Sequence, residues 1–181
     1  MSTIEIREAD IVTIGTDAVV NAANEELMEG GGVCGAIFNA AGSRQLAAAC
    51  NKYGHCDTGS AVITPGFNLN SKYIIHAVGP RYINGSVGEE RALYCAYKTS
   101  MQLAMDSGCH SIAFPVISSG IFGYPKEEAF RVGITSVLDF HGKHPDYTLD
   151  VIFCVRGKEM FSIGTGTLKE INSFEANILK R

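Results

Sequence analysis

A chain of 181 residues with 46% hydrophobic and 19% charged content can bury a sizeable core and reads as one domain, 1–181. Its formal net charge of −4 supplies no basic field and excludes general nucleic-acid binding, so a polyanionic ligand would depend on backbone and dipole geometry. No apolar run approaches the roughly 20 residues that cross a bilayer, and Met1–Glu5 lacks a charged-then-apolar leader layout, so a cytoplasmic protein without membrane contact is expected.

In chain order, Ile4 and Ile6 alternate with Glu5 and Arg7, which predicts a first strand over 4–9 with one wet face. Ala18–Val20 is a short apolar run after the turn Gly15-Thr16-Asp17 and predicts a strand covered on both sides. From Val33 to about Tyr53 the pattern is helical, with a break and a new cap at Gly42-Ser43. Ser60–Thr64 and Tyr73–Val78 predict strands closed by Pro65-Gly66 and Gly79-Pro80. Glu90–Ser107 predicts an amphipathic helix stopped by Gly108.

Ile112–Ile117 predicts a buried strand with a bulge or an unpaired donor at Pro115. Pro125 fits the first turn of a helix reaching about His141, and Asp150–Val155 predicts a last strand. Residues 157–181 are expected to form a C-terminal helical segment, regular from Thr167 to Leu179 after the unusual run Gly164-Thr165-Gly166. The six cysteines contain no CxxC pair, which points to free thiols in a reducing compartment and to no metal site.

Strands alternate with helices, so the class is α/β with helices on both faces of a sheet. Two strands run into glycine-bearing loops that feed helices, one through Gly30-Gly31-Gly32 and one through Ser118–Gly123. Adjacent glycines carry a large entropy cost on ordering, which a fold accepts where backbone must approach something closely. Bare N–H groups ahead of a helix suit an anion, and open α/β sheets bind ligands at strand carboxyl ends. The two loops are therefore expected to wall one cleft, although each alone also fits a flexible surface turn.

Val20-Asn21-Ala22-Ala23-Asn24, followed by Gly30-Gly31-Gly32-Val33-x-Gly35-Ala36-Ile37, resembles the macrodomain family. So do Asp10-Ile11, Ile75-His76-Ala77-Val78-Gly79-Pro80 and Phe114-Pro115-x-Ile117-Ser118-x-Gly120-Ile121-Phe122-Gly123-Tyr124-Pro125, all in order over roughly 4–156. The resemblance is closest to the MacroD-type branch, whose members remove ADP-ribose from acidic side chains and deacetylate O-acetyl-ADP-ribose. It implies a three-layer α/β/α sandwich around a mixed, about six-stranded sheet. It also implies a cleft for ADP-ribose or an ADP-ribosylated protein, with O-acetyl-ADP-ribose as a further ligand and no cofactor.

By position, the resemblance makes Asp10 the acceptor for the adenine amino group, a role suited to an acceptor-only carboxylate. Ile11 would lie beside the adenine, and Asn24 would fix the distal ribose through its amide. Gly31, Gly32, Val33 and Cys34 match the first phosphate-side loop. Ser118, Ser119, Gly120, Ile121 and Phe122 match the second, with Phe122 also against the distal ribose. Asn24, Gly32 and Phe122 would then set the catalytic geometry.

Two departures qualify that reading. The MacroD-type pattern places an aspartate after Gly-Gly-Gly-Val and a histidine four residues later, on one helix face, where they can share a proton. Here Cys34 and Phe38 hold those positions. Phe38 transfers no proton; Cys34 could as a thiolate, which a helix N-terminus favours and a nearby diphosphate opposes. Two functions stay open: an ADP-ribose ester hydrolase whose water is held by the ligand's own phosphate, and a non-catalytic ADP-ribose reader.

At the last strand, where the family often has an adenine-stacking aromatic and then an acid, Val155 and Arg156 stand. Arg156 either stacks its guanidinium on adenine or is a solvated charge. Asn21 is expected to bridge loop backbone and His76 to be a satisfied core histidine. His55, His110, His141 and His144 lie near turns and are expected to be solvated.

Overall fold

The structure, a computed structural model, describes residues 1–178, with side chains described through Phe174. Six strands form one sheet: β1 (Ile4–Glu8), β2 (Ala18–Ala22), β3 (Ala61–Pro65), β4 (Tyr73–Ala77), β5 (Ser111–Phe114) and β6 (Asp150–Val155), in the order β1-β6-β5-β2-β4-β3. Every neighbouring pair is parallel except β3 with β4, so the sheet is mixed.

Helices α1 (Gly32–Ala41) and α2 (Ser43–Asn51) cover one face. Helices α3 (Glu89–Asp106), α4 (Lys126–Lys143) and α5 (Lys158–Ile178) cover the other. Strands between two layers of helix need apolar residues at successive positions, not alternate ones. That is why β2 reads as a continuous apolar run: Ala18 and Val20 pack toward α3 and α4, whereas Val19 packs with Ile37 and Phe38 of α1. The architecture is the three-layer sandwich expected from the alternation of elements. Among the described residues, no helix is long and apolar enough to cross a membrane.

The join between β2 and β5 positions the site. These strands pair only at Ala18↔Ile112 and Val19↔Ala113, whereas β2 pairs with β4 from Ala18↔Tyr73 through to Ala22↔Ala77. Beyond Val19 and Ala113 the two strands part. The chain leaving β2 goes to α1 on one face, and the chain leaving β5 goes to α4 on the other. Divergence of this kind opens a crevice at the carboxyl ends of an α/β sheet.

Two predicted boundaries are corrected. The strand expected over Ile112–Ile117 ends at Phe114. Pro115 lacks a ladder donor, so it terminates the strand and forms no bulge within it. The Tyr97 hydroxyl on α3 replaces the lost ladder: it donates to Pro115 O (3.4 Å) and accepts from Ile117 N (3.0 Å).

The last helix begins at Lys158, nine residues before the expected Thr167. Gly164 lies inside it because a Cβ there would stand 2.8 Å from the Phe130 ring and 2.9 Å from Ile6 Cγ2. Glycine at that position lets α5 press onto β1 and α4. The expected end at Leu179 lies outside the described residues.

Candidate functional site

A cavity of about 470 Å³ occupies the crevice beyond the parting of β2 and β5. Gly30–Cys34 forms one wall and Pro115–Phe122 the other, with Asn24, Gly79 and Arg81 at one end. It shares Val33, Val116, Ser119 and Gly120 with a cavity of about 290 Å³ that reaches Ile11, Val155 and Arg156. At its opposite end it shares Asn24, Gly79, Arg81 and Phe122 with a cavity of about 310 Å³. The three make one elongated trough across the carboxyl ends of the strands.

The first wall starts at Asn24, whose side chain clasps its own loop. Its Nδ2 donates to Met28 O (2.9 Å) and its Oδ1 accepts from Met28 N (2.9 Å). A primary amide has two N–H bonds and two lone pairs, so Asn24 keeps one donor and one acceptor for the trough. The loop then reaches α1, whose N-cap is Gly31 and whose first turn receives no side-chain cap. The N–H groups of Gly31, Gly32 and Val33 donate to no acceptor among the described residues. Gly35 is required one turn in, since a Cβ there would stand 2.6 Å from Gly30 O. Orphan donors at a helix N-terminus form a ready anion site.

The second wall is held by its own backbone. Ser119 N and Oγ both donate to Val116 O, Gly123 N donates to Gly120 O, and Tyr124 N donates to Ser118 O. The N–H groups of Gly120, Ile121 and Phe122 are left without an acceptor among the described residues. Ser118 has φ of +66° despite its side chain, a strained conformation of the kind that concentrates at functional sites. Its Oγ is buried and has no hydrogen-bond partner among the described residues.

The ends differ in charge. Arg156 Nη2 lies 3.4 Å from Asp10 Oδ1 beside the cavity at Val155. At the other end the Arg81 guanidinium lies over the Phe122 ring, 4.7 Å from its centroid, and Tyr82 N donates to Phe122 O. Lys126 also reaches the Val155 end, but it is paired with Glu159. Between the ends, the walls offer backbone dipoles and no free cation among the described residues.

Of the predicted residues, Asn24, Gly31, Gly32, Val33, Cys34 and Ser118–Phe122 meet around the central cavity, and Ile11, Val155 and Arg156 around its neighbour. Asp10 stands at the rim, half-exposed and ion-paired, and forms no wall of these cavities. Cys34 is buried, and desolvation raises its thiol above the usual range, outweighing a lowering hydrogen bond from Gly30 backbone. Burial thus works against a thiolate at this position, in the same direction as a nearby diphosphate would.

Phe38 is fully buried edge-on to His76, facing the core and not the trough. His76 is a core histidine as expected, bonded to Thr64 Oγ1 and Asn21 Nδ2 at 3.0 Å each. Asn21 consequently serves His76, and not the loop backbone. His141 is also not solvated, since it is half-buried against Leu149 O. Arg81 and Lys126 carry no expectation from the sequence, and Gly79 stands in the resemblance motif without an assigned role. Gly79-Pro80-Arg81 follows a predicted strand end, the one signal that could have pointed to Arg81.

The Macro domain family model matches residues 20–133. The chain is 44% identical over 147 residues to the O-acetyl-ADP-ribose deacetylase of Escherichia fergusonii, covering 79% of this chain and 82% of that one. It is 42% identical over 169 residues to the ADP-ribose glycohydrolase MACROD2 of Xenopus laevis, covering 92% of this chain and 40% of that longer protein. The structure of the Oceanobacillus iheyensis macrodomain with ADP superposes with a TM-score of 0.88 at 35% identity, covering 95% of this chain and 93% of that one.

Proposed function

Because the chain belongs to the Macro domain family, we propose that its trough binds ADP-ribose and hydrolyses ADP-ribose esters, on mono-ADP-ribosylated Asp or Glu or on O-acetyl-ADP-ribose. The observation that carries this reading is the pair of opposed, unpartnered N–H rows at Gly31–Val33 and Gly120–Phe122. A diphosphate laid between them gains a donor on each side without a lysine. The adenosine then lies toward Ile11, Val155 and Arg156, with Asp10 presenting a carboxylate oxygen to the amino group and Arg156 stacking on the base. The distal ribose lies toward Asn24 and Phe122.

Among the described residues, the central cavity, where both N–H rows meet, is lined by no histidine and no carboxylate that could act as general base, and burial disfavours a Cys34 thiolate. The proton of the attacking water therefore passes to an oxygen of the ligand's own diphosphate. Gly32 sets the height of the water, while Asn24 and Phe122 fix the ribose against it. The donors in both walls stabilise charge as it develops. The ester bond breaks, the ribose regains its hydroxyl, and the acid leaves as a carboxylate with release of a proton.

A second reading, an ADP-ribose reader without turnover, is favoured by Cys34 and Phe38 alone. One preparation separates the two. Calorimetry with ADP-ribose and release of free ADP-ribose from a protein automodified at acidic sites are measured together. Release above the buffer rate supports hydrolysis; binding with a buffer-level rate leaves the reader; absence of binding removes both.

A further inference from the structure

The trough does not stop at Asn24 and Phe122. Beyond them lies the cavity of about 310 Å³, whose remaining walls include Glu25, Glu26 and Thr58. Its polarity is fixed by three side chains. Arg81 is held by the Phe122 ring, which steadies the guanidinium without neutralising it. It has no carboxylate partner among the described residues. Glu25 is pinned by Thr58 N (3.1 Å) and Thr58 Oγ1 (2.8 Å), and these hydrogen bonds lower its pKa, so the carboxylate is ionised at neutral pH. Glu26 is exposed and makes no side-chain hydrogen bond among the described residues.

We infer that this cavity is an acceptor subsite for the peptide carrying the ADP-ribosylated acid, with Arg81 on the modified carboxyl group and Glu25 and Glu26 facing basic residues that flank it. The inference rests on the proposed binding of ADP-ribose, which places the distal ribose, and hence the acyl group, at the shared wall of Asn24, Gly79, Arg81 and Phe122. A guanidinium donates to an ester carbonyl and binds the departing carboxylate more strongly, so its grip tightens as the acceptor leaves. The paired acidic side chains would repel an acidic peptide and attract a basic one.

Three probes test this in binding, independently of turnover. They are free ADP-ribose, a lysine-flanked peptide bearing ADP-ribose on a glutamine amide as a stable isostere of the ester, and the same peptide flanked by glutamates. The chain should bind the lysine-flanked peptide at least about five-fold more tightly than free ADP-ribose, an increment of one or two charge-assisted contacts. Arg81→Gln should lower that ratio at least about two-fold, leaving the part that Glu25 and Glu26 contribute. Glu26→Lys should reverse the preference between the two peptides.

Both changed residues are exposed, so folding is not at stake. An unchanged ratio in Arg81→Gln, or a wild-type chain that does not separate peptide from free ADP-ribose, would overturn the acceptor subsite alone. Failure of the wild-type chain to bind free ADP-ribose overturns the proposed function and this inference with it.

Discussion

Asn24 and Met28 are joined by two hydrogen bonds of 2.9 Å, one in each direction, between a side-chain amide and a backbone peptide. The pair fixes both the turn that ends at Gly30 and the orientation of the amide presented to the trough. Asn24→Ala should therefore cost more in geometry than in affinity. The expected loss is about 100-fold in ADP-ribose release, the scale of a misplaced reacting group. Affinity for ADP-ribose should fall only about ten-fold, one hydrogen bond's worth. Single-turnover release and calorimetry on the same variant check the split.

Cys34 faces the trough but Phe38 does not, so the two positions answer differently to substitution. Cys34→Asp places a carboxylate at the wall and should raise ester turnover about 100-fold, the low end of what a positioned general base contributes. Phe38→His removes a buried ring and places a second imidazole beside His76. It should cost about 3 kcal/mol of stability, seen as a lower urea midpoint, with no gain in rate.

Burial pushes His76 down to about 4. In the unfolded chain a histidine titrates near 6.5, so between these values the unfolded state binds more protons and stability rises with pH. Unfolding free energy should be level above about pH 6.5 and fall by up to about 3 kcal/mol toward pH 4. His141, lowered by the same desolvation, adds to the slope with the same sign. Glu89, whose desolvation is outweighed by backbone N–H donors that hold it at about 2, stabilises the chain above the ordinary carboxylate range and loses that contribution only as pH falls from there toward 2. Urea melts at several pH values, repeated in His76→Gln, should show the slope and its reduction.

A Cβ on Gly79 would collide with Ser118 Oγ and Ile117 Cγ2. Gly79→Ala should push the Pro115–Phe122 wall away from the end of β4, destabilising the chain by about 1–3 kcal/mol, as overpacking does. It should also weaken ADP-ribose binding, whereas Gly31→Ala, with open space around its Cβ, should leave stability within about 0.5 kcal/mol. Thermal melts and calorimetry on both variants check the contrast.

What was legible in the sequence was whatever depends on neighbours along the chain. Strand periodicity, the glycine runs and the helix stops identified the alternation of elements and both walls. What was not legible depends on partners far away. Gly164 looks like a helix breaker until Phe130 and Ile6 are beside it. Phe38 shares a helix face with Cys34, yet it lies a full turn deeper, where His76 claims it. Arg81 carries no motif; it enters the site because β4 lies next to β2, an adjacency that strand order along the chain does not reveal.

The two-position pairing of β2 with β5 divides the sheet into two three-stranded leaves, β1-β6-β5 and β2-β4-β3, with the trough at the seam. A ligand gripped by Gly31–Val33 on one side and Gly120–Phe122 on the other acts as a tether between the leaves. At a concentration 100 times its Kd it adds about 2.7 kcal/mol to the work of separating them. Occupancy should thus be felt as slower amide exchange in Ile112 and Ala113 as well as in Ala18 and Val19, strand positions that line no wall of the trough.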